Sequence, residues 1–497
     1  MNRRLGLVTA VHALLGSFGD IEANIFNFMA VPIRNMFNES LINHYGLFLE
    51  SEKFEMVYSS CAVMFYTGIL LGVISMGYLL DFCGRKETGV IVRSSLGILA
   101  GLCMYLSGKF CSLELFMLGH FLAGLINVFK IALIIYVAEC SPDKARGLTG
   151  MALGSAGFIM VLAATPLCLP DVLGNNDNWT ILPILCALLA AIHLGVSLTF
   201  PKSPKHLYIT LNNKEKSREA VKFYHGSGVN LDGVEEEYEQ ERLILQQGHA
   251  TAKEVWESPV LRRSLIIVSL SAFLPTISAI TIKSQYHAAM LMSFGMNQSQ
   301  AMFAIMVILL GAAPLCLVSP WLIERLGRRP LILGATGLCV GEWLLLGSAQ
   351  FIVDFHFHWN VLSSIFGVTS SVLGQVSVML GLTSFTAILI SEMCPHTARA
   401  VISQVSQILP IFVDIVTVAI YPVAIESVGC LFHIPMMVLT VALFYACYKL
   451  IPETKGLPVD AIMENIASNV AAIPVRNNRP EQAETSGLSN EQRNVDL

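Results

Sequence analysis

Charge is what this sequence has least of. Of its 497 residues, 13% are Asp, Glu, Lys or Arg, while 54% are hydrophobic. The charges are also clustered: residues 201–263 carry 20 of the 67, and residues 452–497 carry another 11. The other 388 residues share 36, about 9% against about 25% in a soluble protein. A surface charged that thinly cannot be hydrated, which excludes the several soluble domains that the length alone would suggest.

Further absences narrow the field. The twelve cysteines form no Cys-x-x-Cys pair and no Cys/His cluster at zinc spacing. Cys103, Cys168, Cys186, Cys316, Cys339 and Cys447 sit in apolar runs, where a thiol behaves as a small hydrophobe. Net charge is −5 and no basic patch interleaves with aromatics, so nucleic acid is excluded as a partner. There is no Gly-x-Ser-x-Gly elbow, no P-loop and no His-Glu-x-x-His, so neither an enzyme nor a cofactor is implied. No small-residue cleavage site follows Met1-Asn2-Arg3-Arg4, and the apolar segment behind it is read as a retained first helix.

What is present is long hydrophobic runs. A helix needs about 20 mostly apolar residues to cross a bilayer. Such segments lie near 5–30, 56–80, 88–108, 114–138, 147–169 and 179–200. Six more lie near 264–290, 300–323, 330–353, 361–391, 400–425 and 430–451. The expectation is an all-α membrane protein of twelve transmembrane helices in two six-helix bundles. Residues 1–200 would form the first bundle, 201–263 a cytoplasmic linker with short helices, 264–451 the second bundle, and 452–497 a cytoplasmic tail. That tail is rich in Asn, Gln, Glu and Ser and reads as largely disordered.

Lys and Arg fall in alternate connections: Arg85, Lys86, Lys144, Arg146, the basic residues of 202–263, Arg325, Arg328, Arg329 and Arg399. The opposite connections hold little more than Arg34, Lys53 and Lys109. The positive-inside rule then places both termini in the cytoplasm. Three sequons, at Asn38, Asn178 and Asn297, all land in connections assigned to the outside, where glycosylation is possible.

The halves repeat one another. Asp81-Phe82-Cys83-Gly84-Arg85-Lys86 recurs as Glu324-Arg325-Leu326-Gly327-Arg328-Arg329. Glu139-Cys140-Ser141-Pro142 with Arg146 recurs as Glu392-Met393-Cys394-Pro395 with Arg399. Pro201-Lys202-Ser203-Pro204 is echoed by Pro452-Glu453-Thr454-Lys455. Parallel six-helix repeats imply two bundles with a site between them near the bilayer midplane.

These motifs resemble the major facilitator superfamily, and within it the facilitative sugar (glucose) transporter family, over about residues 5–460. Gly77-x-x-x-Asp81-x-x-Gly84-Arg85-Lys86 matches the superfamily signature, and Pro452-Glu453-Thr454-Lys455-Gly456 the family's C-terminal one. Tyr136-x-x-Glu139-x-x-Pro142-x-x-x-Arg146-Gly147 is similar to the sugar-porter form after the fourth span. Pro201-Lys202-Ser203-Pro204-Lys205 departs from the family's Pro-Glu-Ser-Pro-Arg at two positions. The resemblance implies a cytoplasmic gate made by Asp81, Arg85, Lys86, Glu139, Arg146, Glu324, Arg328, Arg329, Glu392 and Arg399. Physically, Glu139 and Glu392 close helices whose negative dipole ends need nearby cations. The alternative, that these charges only set topology, stays open.

The pocket departs further. The family's seventh-span Gln-Gln-Leu-Ser, with a following Asn, stands here as Pro275-Thr276-Ile277-Ser278 with Thr281. The tenth-span Gly-Pro-x-Pro-Trp stands as Thr383-Ser384-Phe385-Thr386-Ala387, and an eleventh-span Asn as Asp414. By resemblance the solute-contacting set is Asn24, Asn27, Thr276, Ser278, Thr281, Thr383, Thr386 and Asp414. The spans also hold Asp20, Glu22, His120, Lys130, Lys283 and Glu342. Charges in spans are costly and face a cavity or a partner. Glu22 falls where proton symporters of the superfamily carry Asp, and His120 replaces a fourth-span Arg, so a Glu22–His120 pair able to exchange a proton is one reading. A solvated Glu22 beside a structural His120 is the other.

The resemblance implies transmembrane transport of a small solute by alternating access, with hexose uniport as the default and the bilayer of the plasma membrane as its setting. The competing readings are a non-sugar or proton-coupled transporter of the same fold, and a non-transporting solute sensor.

Overall fold

The computed structural model describes residues 2–226, 228–246, 250–357, 359–455 and 462–464. The expected tail beyond residue 470, and Gly456 of the C-terminal motif, lie outside the described residues.

Among the described residues eleven stretches are long and apolar enough to cross a membrane. The last, Thr397–Leu450, holds two helices that turn at Gly429, so the chain makes twelve passes. The first half contains α1 (Arg3–Leu14) and α2 (Phe18–Phe28), then α3 (Ala30–Tyr45), α4 (Ser51–Phe82), α5 (Arg93–Phe110), α6 (Leu113–Cys140), α7 (Asp143–Ala164) and α8 (Ile181–Leu198). Four short helices follow: α9 (Pro204–Ile209), α10 (Lys214–His225), α11 (Leu231–Gln246) and α12 (Ala252–Glu257). The second half contains α13 (Pro259–Ile277), α14 (Ile280–Ser293), α15 (Gln298–Leu326), α16 (Arg328–Asp354), α17 (Asn360–Met379), α18 (Phe385–Met393), α19 (His396–Val428) and α20 (His433–Leu450).

Three spans expected to be single helices are interrupted. The first is split by a 3₁₀ turn at Leu15–Ser17, and the tenth by residues 380–384 between α17 and α18. The seventh breaks at Ser278–Ala279, three residues after Pro275, which cannot donate a helical hydrogen bond. Inside a bilayer a broken helix persists only where other groups take up the freed carbonyls. Here Trp343 Nε1 donates to Ile277 O at 2.9 Å and Thr440 Oγ1 to the same oxygen at 3.2 Å. One sequon also moves: Asn38 lies on α3, a helical extension of the first span, and not in an irregular connection.

The passes pack through small residues, as apolar solvent demands. A Cβ added to Gly68 would lie 2.1 Å from Phe121 O, and one added to Gly124 would lie 2.0 Å from Phe65 O, so α4 and α6 touch backbone to backbone. Large apolar side chains such as Leu310, Leu344 and Leu409 point outward and are more than half exposed, which only hydrocarbon tolerates over so wide a surface.

Two ends can be distinguished: a basic end, which carries the Gly-Arg turns, and a sequon end, which carries Asn38, Asn178 and Asn297. Their cores differ. At the sequon end one cluster takes Phe26, Phe37 and Tyr58 from the first half and Tyr286, Phe294 and Tyr421 from the second. At the basic end each half keeps its own cluster, around Leu133 and Tyr136 in the first and around Leu389 and Ile402 in the second. The halves are therefore sealed together at the sequon end.

Candidate functional site

The break in the seventh span matters because α14 begins beside it and faces the first half. Asn27 Oδ1 accepts from the Ala288 backbone N–H at 3.0 Å. His120 Nε2 lies 2.9 Å from Gln285 Oε1, and an amide oxygen only accepts, so this nitrogen carries the proton and donates. Ser284 donates to Thr281 O at 2.8 Å, so its oxygen accepts from the Tyr66 hydroxyl at 3.0 Å. Edge-to-face packing of Phe26 on Tyr286 completes this seam of the sequon-end seal.

Beneath the seam lies a cavity of about 190 Å³. Its walls come from both halves: Asn24, Asn27, Phe28 and Val161 from the first, and α14 to α17 from the second. The polar groups left over there are mixed in kind. Asn24 Nδ2 is taken by Asp20 O at 2.8 Å, leaving its Oδ1 as an acceptor. Asn27 Oδ1 is taken by Ala288, leaving Nδ2 as a donor. Ser371 donates to Gly367 O at 2.9 Å, so it accepts from His287 Nε2 at 2.9 Å, and His287 Nδ1 remains as an acceptor. The Gln375 amide has no hydrogen-bond partner among the described residues, and both its oxygen and its NH2 are available. Lys283 and Glu342 also line the wall, joined at 2.5 Å.

Of the expected solute-contacting residues, Asn24 and Asn27 line this cavity. The others lie elsewhere. Thr281 Oγ1 donates to Asp414 Oδ1 at 2.8 Å, and Thr276 supplies a second hydroxyl to the same carboxylate. All three are buried, with Tyr66 of the first half packed beside Thr281 and Asp414. Ser278 donates to Pro275 O at 2.6 Å within the break. Thr386 accepts from Ser271 at 3.1 Å, and Thr383 is exposed in the interruption between α17 and α18. Sequence reasoning missed His287, Ser371 and Gln375, which carry no charge or motif to mark them.

Among the described residues Glu22 and His120 form no pair. The His120 ring stacks on Phe65 and reaches Gln285 across the seam. Glu22 is fully buried and neither carboxylate oxygen accepts a hydrogen bond, while Arg93 is the cation whose field reaches it. Arg93 itself donates to Gly16 O at 2.7 Å and Ile126 O at 3.1 Å and stacks over Phe18. Lys130 binds both oxygens of Asp20, at 2.8 and 2.7 Å, within the first half.

At the basic end the sequence repeat becomes a spatial one. Glu139 accepts from Arg85 Nε at 3.1 Å and from Ser203 Oγ at 2.5 Å. Glu392 accepts from Arg328 Nε at 2.9 Å and from Thr454 Oγ1 at 2.5 Å. Each carboxylate is thus held by the arginine of its half's Gly-Arg turn and by the hydroxyl of that half's terminal Pro-x-Ser/Thr motif. Both turns use glycine in the left-handed region, Gly84 at φ +101° and Gly327 at φ +94°. Glu453 caps α16 through the N–H groups of Arg328 and Arg329, and Glu324 adds a second carboxylate to Arg328 at 3.2 Å. Lys86 donates to Phe200 O, Arg399 to Ser391 O, and Asp81 and Arg146 lie at the surface. His206, packed against Gly84, is pushed below its ordinary value first by burial and then by the neighbouring Arg85.

Twelve helical passes in two halves, paired carboxylate–arginine clusters at one end and a polar cavity between the halves define a multi-pass membrane transporter of the major facilitator fold. The family profile described as Sugar (and other) transporter matches residues 14–465, and the chain belongs to that family. It is 26% identical over 457 residues to the mouse solute carrier family 2, facilitated glucose transporter member 7, covering 90% of this chain and 88% of the relative. It is 24% identical over 465 residues to the human member 5, covering 91% of each. Among solved structures, the inward-open xylose transporter XylE from E. coli superposes with a TM-score of 0.72 at 16% identity, over 93% of this chain and 99% of that one.

Proposed function

We propose that this protein carries a hexose or a closely related polyol across the plasma membrane by facilitated, alternating-access uniport. The observation that carries the reading is the inventory of the cavity between the halves. A sugar hydroxyl both donates and accepts, and the wall offers both kinds of partner: acceptors at Asn24 and His287, a donor at Asn27, and both at Gln375. Its two charges are spent on each other, which favours a neutral solute over an ionic one. Phe28, Ile280 and Leu309 supply apolar wall for the carbon face of a ring.

The names of the relatives support the sugar class, and the Lys/Arg asymmetry supports termini that face the cytoplasm. In that orientation the sequon-end seal closes the outside, and the exposed Asn38, Asn178 and Asn297 are open to glycosylation. The carboxylate–arginine clusters at the basic end serve as the gate that holds the opposite state.

The test is initial-rate uptake of labelled glucose, xylose, fructose or myo-inositol into proteoliposomes holding the purified full chain, with the other three as competitors. Saturable uptake reduced by at least one competitor is the expected result. Uptake no faster than in empty liposomes for every labelled polyol, by protein shown folded, would overturn it.

A further inference from the structure

At the basic end, away from the solute cavity, lies a second cavity of about 1060 Å³. Five cations line it, Arg4, Lys86, Lys202, Lys216 and Lys222, against one carboxylate, Glu219. Among the described residues only Lys202 of these has an ion-pair partner, Glu87, at 2.6 Å. Lys86 is buried and gives its protons to backbone carbonyls, which accept hydrogen bonds without cancelling its charge. Arg4, Lys216 and Lys222 are exposed and have no ion-pair partner among the described residues. Arg4 lies over the Phe223 ring at 5.3 Å, but charges of one sign repel, and one ion pair and one further carboxylate offset only part of five cations gathered in one concavity.

The walls are fixed to each other. Asn2 caps α1 by accepting from the Arg4 N–H at 3.4 Å. Its amide then donates to Phe223 O at 3.0 Å and Tyr224 O at 3.3 Å, docking the start of α1 on α10. The positive end of the α1 dipole therefore opens beside the lysines of α10. The cavity also sits at the membrane face, since its walls include the start of the first span and Phe200 at the end of the sixth. Leu207, Leu211 and Phe223 line it as well, giving an anionic group an apolar border.

We propose that this cavity binds the phosphorylated headgroup of an anionic membrane lipid, with a polyphosphorylated inositol as the chemical class that matches its size and charge. Basic clusters directly beside a span attract such headgroups at roughly a factor of five per cation. The lipid would hold the start of α1 and the α9–α10 segment together as one unit of the first half.

Binding is read by native mass spectrometry and by the melting temperature of the full chain in neutral detergent. The probes are a short-chain phosphatidylinositol bisphosphate, short-chain phosphatidylcholine, inositol trisphosphate and inorganic phosphate. The bisphosphate lipid should bind and raise the melting temperature, and phosphatidylcholine should do neither. Arg4→Gln/Lys216→Gln/Lys222→Gln should weaken that binding on the order of a hundredfold, while Lys253→Gln, on α12 outside the cavity, should leave it unchanged. If the triple variant melts early without ligand, Lys216→Gln/Lys222→Gln carries the same test with about a 25-fold loss. Inositol trisphosphate binding as tightly as the lipid would keep the headgroup chemistry and overturn the membrane source. No binding by any phosphorylated probe, or undiminished binding by the variants, would overturn the site.

Discussion

Lys283 on α14 and Glu342 on α16 meet at 2.5 Å in the wall of the cavity between the two halves, both buried. Read singly, each is an isolated charge in a span. Together they are a neutral, polar patch, and the solute that a pocket of this kind favours is neutral as well.

The pair makes a sharp stability prediction. Lys283→Met or Glu342→Met alone leaves a buried charge without its partner, which costs about 3–5 kcal/mol. The double variant removes both and should recover most of that loss. Melting of the detergent-solubilised protein through the four-member cycle measures the coupling, and a loss in the double variant equal to the sum of the two single losses would show that the pair is not coupled.

Gln375 should behave differently. Its amide has no partner among the described residues, so Gln375→Ala should leave the melting temperature within about a degree of the parent. Loss of one ligand hydrogen bond, about 0.5–1.5 kcal/mol, should raise the KM for uptake roughly two- to tenfold with little change in maximal rate.

The seam at the sequon end rests on few polar contacts, among them His120 to Gln285 and Asn27 to Ala288. His120→Ala removes a bond worth about 1 kcal/mol and weakens the sealed state by a factor of about five. Hydrogen–deuterium exchange over residues 280–293 should quicken by that factor, while exchange in α13 stays as it was.

Glu22 separates uniport from symport. Its carboxylate has no hydrogen-bond partner among the described residues, and His120 is engaged elsewhere. Under uniport, an imposed pH gradient drives no accumulation of solute above its outside concentration, in the parent or in Glu22→Gln. Gradient-driven accumulation in the parent that disappears in Glu22→Gln would assign proton coupling to this residue.

The architecture was legible because hydropathy and the positions of Arg and Lys record where the chain enters and leaves the bilayer. The repeated motifs went further: Ser203 and Thr454, matched in sequence, occupy the same place against Glu139 and Glu392. The cavity was less legible, for a physical reason. Lipid and protein interior are both apolar, so a span carries little periodic signal of which face is inside. Gln375, Ser371 and His287 were invisible on that account. Thr276, Thr281 and Asp414 were marked by resemblance to the family's pocket motifs, yet they satisfy one another between helices. Arg93 went unremarked for the opposite reason, since a cation near a basic turn reads as topology until the structure places it deep among α1, α2 and α6, bonded to the carbonyls of Gly16 and Ile126.

The most direct test of alternating-access transport of a neutral polyol is equilibrium counterflow. Proteoliposomes are loaded with unlabelled glucose and diluted into a trace of labelled glucose, with no pH gradient. A carrier that exposes one cavity to each side in turn will draw label inward to a transient excess over its outside concentration, and Gln375→Ala will reduce that excess. Label that only approaches the outside concentration, as in protein-free liposomes, would contradict the account.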